Sequence, residues 1–225
     1  MEIYLDTGNI EEIEKISQIG LLDGVTTNPS LIAKEGKDFI KTIKEISKIL
    51  KKNCINQNFT LSAEVTDITS SENIIKEAKK LTKINKHIVV KIPITEQGLK
   101  ATAKLSKEGI RCNLTLCFST NQALLAAKAG AWCVSPFVGR VDDEGYDGIE
   151  LIEDIKQVYS NYNFKTKILG ASIRGVKDVF YCSKIGADIV TIPEKIFSKL
   201  YKNPLTDMGI TQFENDWKNY KNKLK

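Results

Sequence analysis

Short runs of aliphatic and β-branched residues recur along the chain, and after each one the apolar positions fall at every third or fourth residue. These short β-branched runs predict strands near residues 2–6, 23–27, 59–65, 87–93, 110–116, 131–137, 166–172 and 187–192. The spacing that follows each run predicts helices over 10–19, 39–50, 71–81, 95–107, 119–129, 148–162, 176–185 and 195–201. Eight strand–helix units over residues 1–202 of a 225-residue chain fit a single-domain α/β fold, the (β/α)8 TIM barrel, whose lower size limit is about 200 residues. An open doubly wound sheet is the competing arrangement. Its nucleotide-binding versions lack support here: LDTGNIEE carries no GxGxxG, and GASIRGVK puts Val176 where a phosphate loop needs lysine. Residues 203–225 are left over, with Pro204 as a breaker and Phe213 and Trp217 four residues apart, so an extra C-terminal helix is expected. Its apolar face needs a cover, either its own barrel or a neighbouring subunit. A homo-oligomer is the favoured expectation.

Composition narrows the classes. With 42% hydrophobic and 27% charged residues the chain is that of an ordinary folded domain, and no stretch approaches the roughly 18 apolar residues of a membrane span. The N-terminal MEIYLDTGN has acids where a secretory signal has bases, which predicts a cytoplasmic protein. Five cysteines, an odd number without a CxxC pair, suit reduced and mostly buried thiols. A single histidine, His87, excludes histidine-rich metal sites. The net charge of +5 comes from lysines spread among 28 acids, with arginine only at Arg111, Arg140 and Arg174, so a nucleic-acid partner is not expected.

In a barrel the chemistry sits at the C-terminal ends of the strands. Those ends present Asp6, then Thr26 to Asn28, Glu64, Lys91, Asn113 with Thr115, Ser135 with Phe137 and Arg140, and finally Ser172 with Arg174. Lys91 in IVVKIPIT is the decisive residue. An ammonium among isoleucines and valines must deprotonate or pair; deprotonated, it is an amine nucleophile able to form a Schiff base. The alternative is a structural lysine paired with Glu64 or Asp6. His87 has the same parity four residues earlier, about 13 Å away at roughly 3.3 Å per residue, and reads as structural. Arg140 and Arg174, with the hydroxyl of Ser172, suggest a phosphate clamp; the alternative pairs each with Asp142, Asp143 or Asp178. Arg111 lies at the opposite end as a structural or surface charge.

Taken together, LDTGN, GVTTNPSLI, IVVKIP, NLTLCFS, VSPFVGR and GASIR resemble, in order and spacing over nearly the whole chain, the short transaldolase family. The resemblance implies a TIM barrel, phosphorylated sugar substrates of the pentose phosphate pathway, and no metal or organic cofactor. It implies Lys91 as the Schiff-base amine, Asp6 as the acid/base at the C4 hydroxyl, and Glu64 with Thr115 as holders of a catalytic water. Asn28, Asn113 and Ser135 resemble the groups on the sugar hydroxyls, and Arg140, Ser172 and Arg174 the phosphate site. It also suggests a ring of five or ten subunits bridged by the tail helix.

The related fructose-6-phosphate aldolase characteristically has glutamine at the position of Glu64 and tyrosine at that of Phe137. The residues present here therefore look like transaldolase, because phenylalanine has no hydroxyl with which to protonate the intermediate. A sugar-phosphate-binding or RNA-binding barrel without turnover is the third class, disfavoured by the convergence of an acid, an amine and two arginines.

Overall fold

The computed structural model describes residues 1–54 and 59–224. Eight parallel strands close into a barrel in sequence order: β1 (Glu2–Asp6), β2 (Gly24–Thr26), β3 (Thr60–Glu64), β4 (Ile88–Pro93), β5 (Cys112–Cys117), β6 (Cys133–Pro136), β7 (Lys167–Gly170) and β8 (Ile189–Ile192). β8 pairs back onto β1, which rules out the open sheet. The helices are α1 (Ile10–Ser17), α2 (Pro29–Lys34), α3 (Phe39–Asn53), α4 (Ser71–Thr82), α5 (Glu96–Lys107), α6 (Thr120–Lys128), α7 (Val138–Asp143), α8 (Gly148–Asn161), α9 (Val176–Ile185), α10 (Glu194–Leu200) and α11 (Pro204–Lys223).

Eight of these helices occupy the expected positions after the strands, and α11 is the expected extra one. The short α2 and α7 are additions to the eight helices the sequence pattern predicts. Six residues are too few to show a helical period, although Asn28 as N-cap with Pro29 in the first turn is a start signal in its own right. Start positions elsewhere follow the same chemistry. Asn9, Asp38, Ser70, Thr95, Ser119 and Asp147 each accept a backbone N–H of the first turn, a contact worth about 1 kcal/mol.

Alternation along the strands sorts the core into two shells. Outward residues such as Leu5, Val25, Leu61, Val90, Leu114 and Val134 pack against the helices. Inward residues Tyr4, Cys133, Leu169, Ala171 and Ile189 form a second cluster inside the barrel. Tyr4 can lie across that interior because its register partner is Gly24, where a Cβ would sit 2.9 Å from the phenol ring and 2.6 Å from the Thr60 carbonyl oxygen. The Tyr4 hydroxyl donates to Glu2 at 2.7 Å, Glu2 pairs with Lys167 at 2.5 Å, and Lys167 rests on the Trp132 ring at 4.9 Å. This is the N-terminal end of the barrel. His87 belongs to it too, stacked on Phe59 at 4.5 Å, and Arg111 lies over Trp132 while donating to the Lys86 carbonyl.

The five thiols are free, four of them buried and Cys54 partly so; burial pushes Cys112 and Cys182 up to about 12. No helix among the described residues is long and apolar enough to cross a membrane. In α11 no residue is buried, and Phe213 is 74% and Trp217 57% exposed.

Candidate active site

Strand register brings the polar inward residues to the C-terminal mouth in two rows, one of Asp6, Thr26 and Ser62 and one of Glu64, Lys91 and Asn113. Asp6 stands opposite Thr26, Thr26 opposite Ser62, Glu64 opposite Lys91, and Lys91 opposite Asn113. Because neighbours in register point to the same face, all of them turn into the barrel together. A cavity opens there, lined by Asp6, Thr26, Lys91, Asn113, Thr115 and Ser135, and walled towards the rim by Asn28, Phe137, Arg140 and Ser172.

Lys91 is only 7% exposed, and its Nζ lies 3.0 Å from Glu64 Oε2 and 3.5 Å from the Thr27 carbonyl oxygen. The ion pair that was one of the two sequence alternatives is thus present, and Lys91 also lines the cavity. Pairing offsets the cost of burying the charge without removing the amine from reach. Asp6 accepts from Thr26 Oγ1 at 2.7 Å. Burial raises its carboxyl above the ordinary range, opposed by the Thr26 hydrogen bond and by the charge of Lys91.

Asn113, fully buried, accepts from Ser135 Oγ at 2.6 Å and donates to Ser62 Oγ at 3.4 Å. Thr115 is different. Its Oγ1 is buried and finds no hydrogen-bond partner among the described residues, yet it borders the cavity. A buried hydroxyl left unpaired costs about 1–3 kcal/mol, so this position is suited to a water or substrate oxygen. Just beyond it β5 bulges, with Leu116 at φ 58°, and Ser172 after β7 has the same φ of 58°. Left-handed backbone in leucine and serine is strained, and both residues adjoin the mouth.

Asn28 Oδ1 accepts from the Leu31 N–H at 2.8 Å and so caps α2, and the residue also lines the cavity. Phe137 packs edge-on against Phe118 at 5.7 Å and carries the Arg140 guanidinium 5.0 Å above its ring.

Arg174 does not line the cavity. Its guanidinium pairs with Asp143 at 2.7 Å, both side chains being 59% exposed, and its backbone N–H donates to Asp178. The stem crosses Gly139, where any Cβ would collide with Arg174 and with the Ser172 carbonyl, so the glycine allows the arginine to lie over α7. Only one of the two expected arginines therefore converges on the amine in this structure. Thr191 was missed by sequence reasoning, as were Leu169 and Ala171. It is the one polar residue of IVTI and shares the inward parity of Ile189, a signal masked because threonine also reads as an ordinary strand former. Among the described residues no group of three or more His, Cys, Asp or Glu is placed to hold a metal.

Comparison with known proteins places this geometry among relatives. The family described as Transaldolase/Fructose-6-phosphate aldolase matches residues 3–224. A "Probable transaldolase" of Thermoanaerobacter sp. (strain X514) is 51% identical over 218 residues, 97% of each chain. Another of Methanococcus maripaludis is 51% identical over 223 residues, 99% of this chain and 100% of that one. Among solved structures, a mutant of flavocytochrome B2 overlays with a TM-score of 0.60 at 12% identity, covering 86% of this chain and 56% of that one. At that identity the likeness is one of fold alone.

Proposed function

Because this chain belongs to the transaldolase/fructose-6-phosphate aldolase family, we propose that it is a transaldolase, moving a dihydroxyacetone unit from sedoheptulose 7-phosphate to glyceraldehyde 3-phosphate through a Schiff base on Lys91. The observation that carries this reading is the Lys91 amine, buried, 3.0 Å from Glu64 and open to the cavity that also holds Asp6.

The steps follow from where the groups stand. Glu64 accepts the ammonium proton as the Lys91 nitrogen attacks the C2 carbonyl, and returns a proton as the carbinolamine loses water. Thr115 Oγ1, without a hydrogen-bond partner among the described residues, is the hydroxyl that holds that water. The protonated imine then draws electrons as Asp6 takes the C4 hydroxyl proton. The C3–C4 bond breaks, erythrose 4-phosphate leaves, and an enamine stays on Lys91. It attacks the aldehyde carbon of glyceraldehyde 3-phosphate while Asp6 returns its proton to the new alkoxide, and hydrolysis frees fructose 6-phosphate and the amine.

Asn28, Asn113 and Ser135 bind sugar hydroxyls in this scheme, and Arg140, Ser172 and Arg174 bind phosphate. Arg174 would leave Asp143 to do so. An exposed pair is worth about 0–1 kcal/mol, so a phosphate dianion can replace it. Glu64 and Phe137 favour transfer over simple aldol release, since the pocket wall offers the enamine no phenol at Phe137. Phosphorylated sugars are the only partners the reaction needs besides further copies of the chain. We assign the exposed apolar residues of α11 to a contact in a pentamer or decamer; removal of residues 205–225 with no change in particle mass by light scattering would refute it.

Borohydride added with fructose 6-phosphate should reduce the imine and leave an adduct on Lys91. An unmodified Lys91 peptide from a fully active enzyme would overturn the mechanism. Free dihydroxyacetone released without an acceptor aldehyde would make the enzyme an aldolase instead.

A further inference from the structure

We propose that Thr191 is a positioning residue for Asp6: its hydroxyl donates to Thr26 Oγ1 and so commits the Thr26 proton to the Asp6 carboxylate. The inference rests on the acid/base role proposed above for Asp6. Thr26 Oγ1 lies 2.7 Å from Asp6 Oδ1 and 2.6 Å from Thr191 Oγ1. An ionised carboxylate only accepts, and a hydroxyl has a single proton to give. Thr26 must therefore donate to Asp6, and the short contact on its other side needs a proton from Thr191. The hydroxyls form a chain that runs from β8 through β2 to β1.

That chain exists because the barrel closes. β1 is the shared neighbour of β2 and β8, with Asp6 opposite Thr26 and Tyr4 opposite Thr191. Thr26 is 2% and Thr191 3% exposed, so bulk water is poorly placed to substitute for a lost donor. Donation into Thr26 polarises its own O–H bond, a cooperative gain of about 10–30% per bond in a hydrogen-bond chain.

The charges around Asp6 are distinct from this chain. Lys91 faces it from β4, paired with Glu64 on β3, and Arg140 stands on the cavity rim from α7. β5, β6 and β7 contribute the uncharged Asn113, Ser135 and Leu169, while Glu2, lower on β1, is engaged with Lys167. Thr191→Val leaves all of these in place and removes only a hydroxyl at nearly constant volume.

The test is the titration of Asp6 followed by carbon NMR in full-length protein labelled at the aspartate carboxyls, alongside kcat as a function of pH. Thr191→Val should move the Asp6 midpoint up by about half a pH unit, because the ionised form loses its strengthened donor. The acid limb of kcat should move up by the same interval, with KM changed less than about twofold. Thr191→Ser, which keeps the hydroxyl, should restore the parent curve, and Thr191→Cys, with its weak S–H donor, should fall between. A Thr191→Val or Thr191→Cys titration that superimposes on the parent overturns the proposal, and so does Thr191→Ser behaving like Thr191→Val. The NMR arm needs no sugar. A parent enzyme that turns over no ketose but shows the shift would sink the transaldolase reading and leave the hydroxyl chain standing.

Discussion

The two ends of the barrel are built from similar residues and do different things. At the N-terminal end Lys167 pairs with Glu2 beneath the Tyr4 hydroxyl, and at the C-terminal end Lys91 pairs with Glu64 beside Asp6. Each has a lysine, a glutamate and a further acidic or hydroxyl group from β1. Their surroundings separate them. The side chain of Lys167 is 32% exposed, with its charge against the Trp132 ring, and Tyr4 with Ile189 fills the space above it. Lys91 has 8% side-chain exposure and opens onto a cavity ringed by hydrogen-bonding groups. A lysine–glutamate pair is thus not a candidate site by composition; what sets the Lys91 pair apart is its burial beside an unfilled part of the interior.

The largest effects should come from removing one lysine at each end. Lys91→Met is expected to lower kcat about 10⁴-fold or more, because the covalent route is lost. Lys167→Met should leave kcat within about twofold and cost at most about 1 kcal/mol in urea unfolding, as for a partly exposed pair. Equal losses at both positions would erase the distinction. Next is Asp6→Asn, with kcat falling about 10³-fold through loss of the proton acceptor. Its stability should move the other way. The raised carboxyl binds its proton more tightly in the folded state, so ionised Asp6 costs stability above the ordinary carboxylate range of about 4 and nothing well below it. Asp6→Asn should melt higher than the parent at pH 7.5, and the gap should shrink as the pH falls below the raised folded value and be gone by about pH 4; calorimetry at several pH values reads this directly.

Glu64→Gln sharpens the contrast further, since it removes the charge that faces Lys91 while keeping the shape. Schiff-base formation in stopped flow should slow about 10²-fold, with the balance moved towards aldol cleavage. The smallest changes belong to the rim. Arg140→Ala should raise KM for phosphorylated ketoses about tenfold, the scale of one charge-assisted contact. Arg174→Ala should raise it about threefold, because leaving Asp143 offsets part of the gain. Neither should alter KM for an unphosphorylated acceptor. An equal loss on the phosphorylated ketose and the unphosphorylated acceptor would move the phosphate site elsewhere.

Much of this was readable along the chain because a parallel barrel buries each strand on both faces. The eight apolar runs stand out, and the polar residues that interrupt their C-terminal ends, Lys91 in IVVKIP above all, mark the mouth. What could not be read has local causes. α2 and α7 are shorter than the period that would reveal them. Leu116 adopts a conformation leucine disfavours, so propensity argues against the bulge that is there. The pair of Arg174 with Asp143 was one of two readings open in the sequence, and the choice between it and a phosphate clamp is made by how α7 lies beside the loop after β7, which spacing along the chain does not encode.

The phenol of Tyr4, laid over Gly24 and wholly enclosed, turns the barrel from a tube into a cup. For a group transfer conducted inside it, the departing aldehyde and the incoming one must use the same doorway. Donor and acceptor then take turns, and initial rates plotted reciprocally at several acceptor concentrations should give parallel lines.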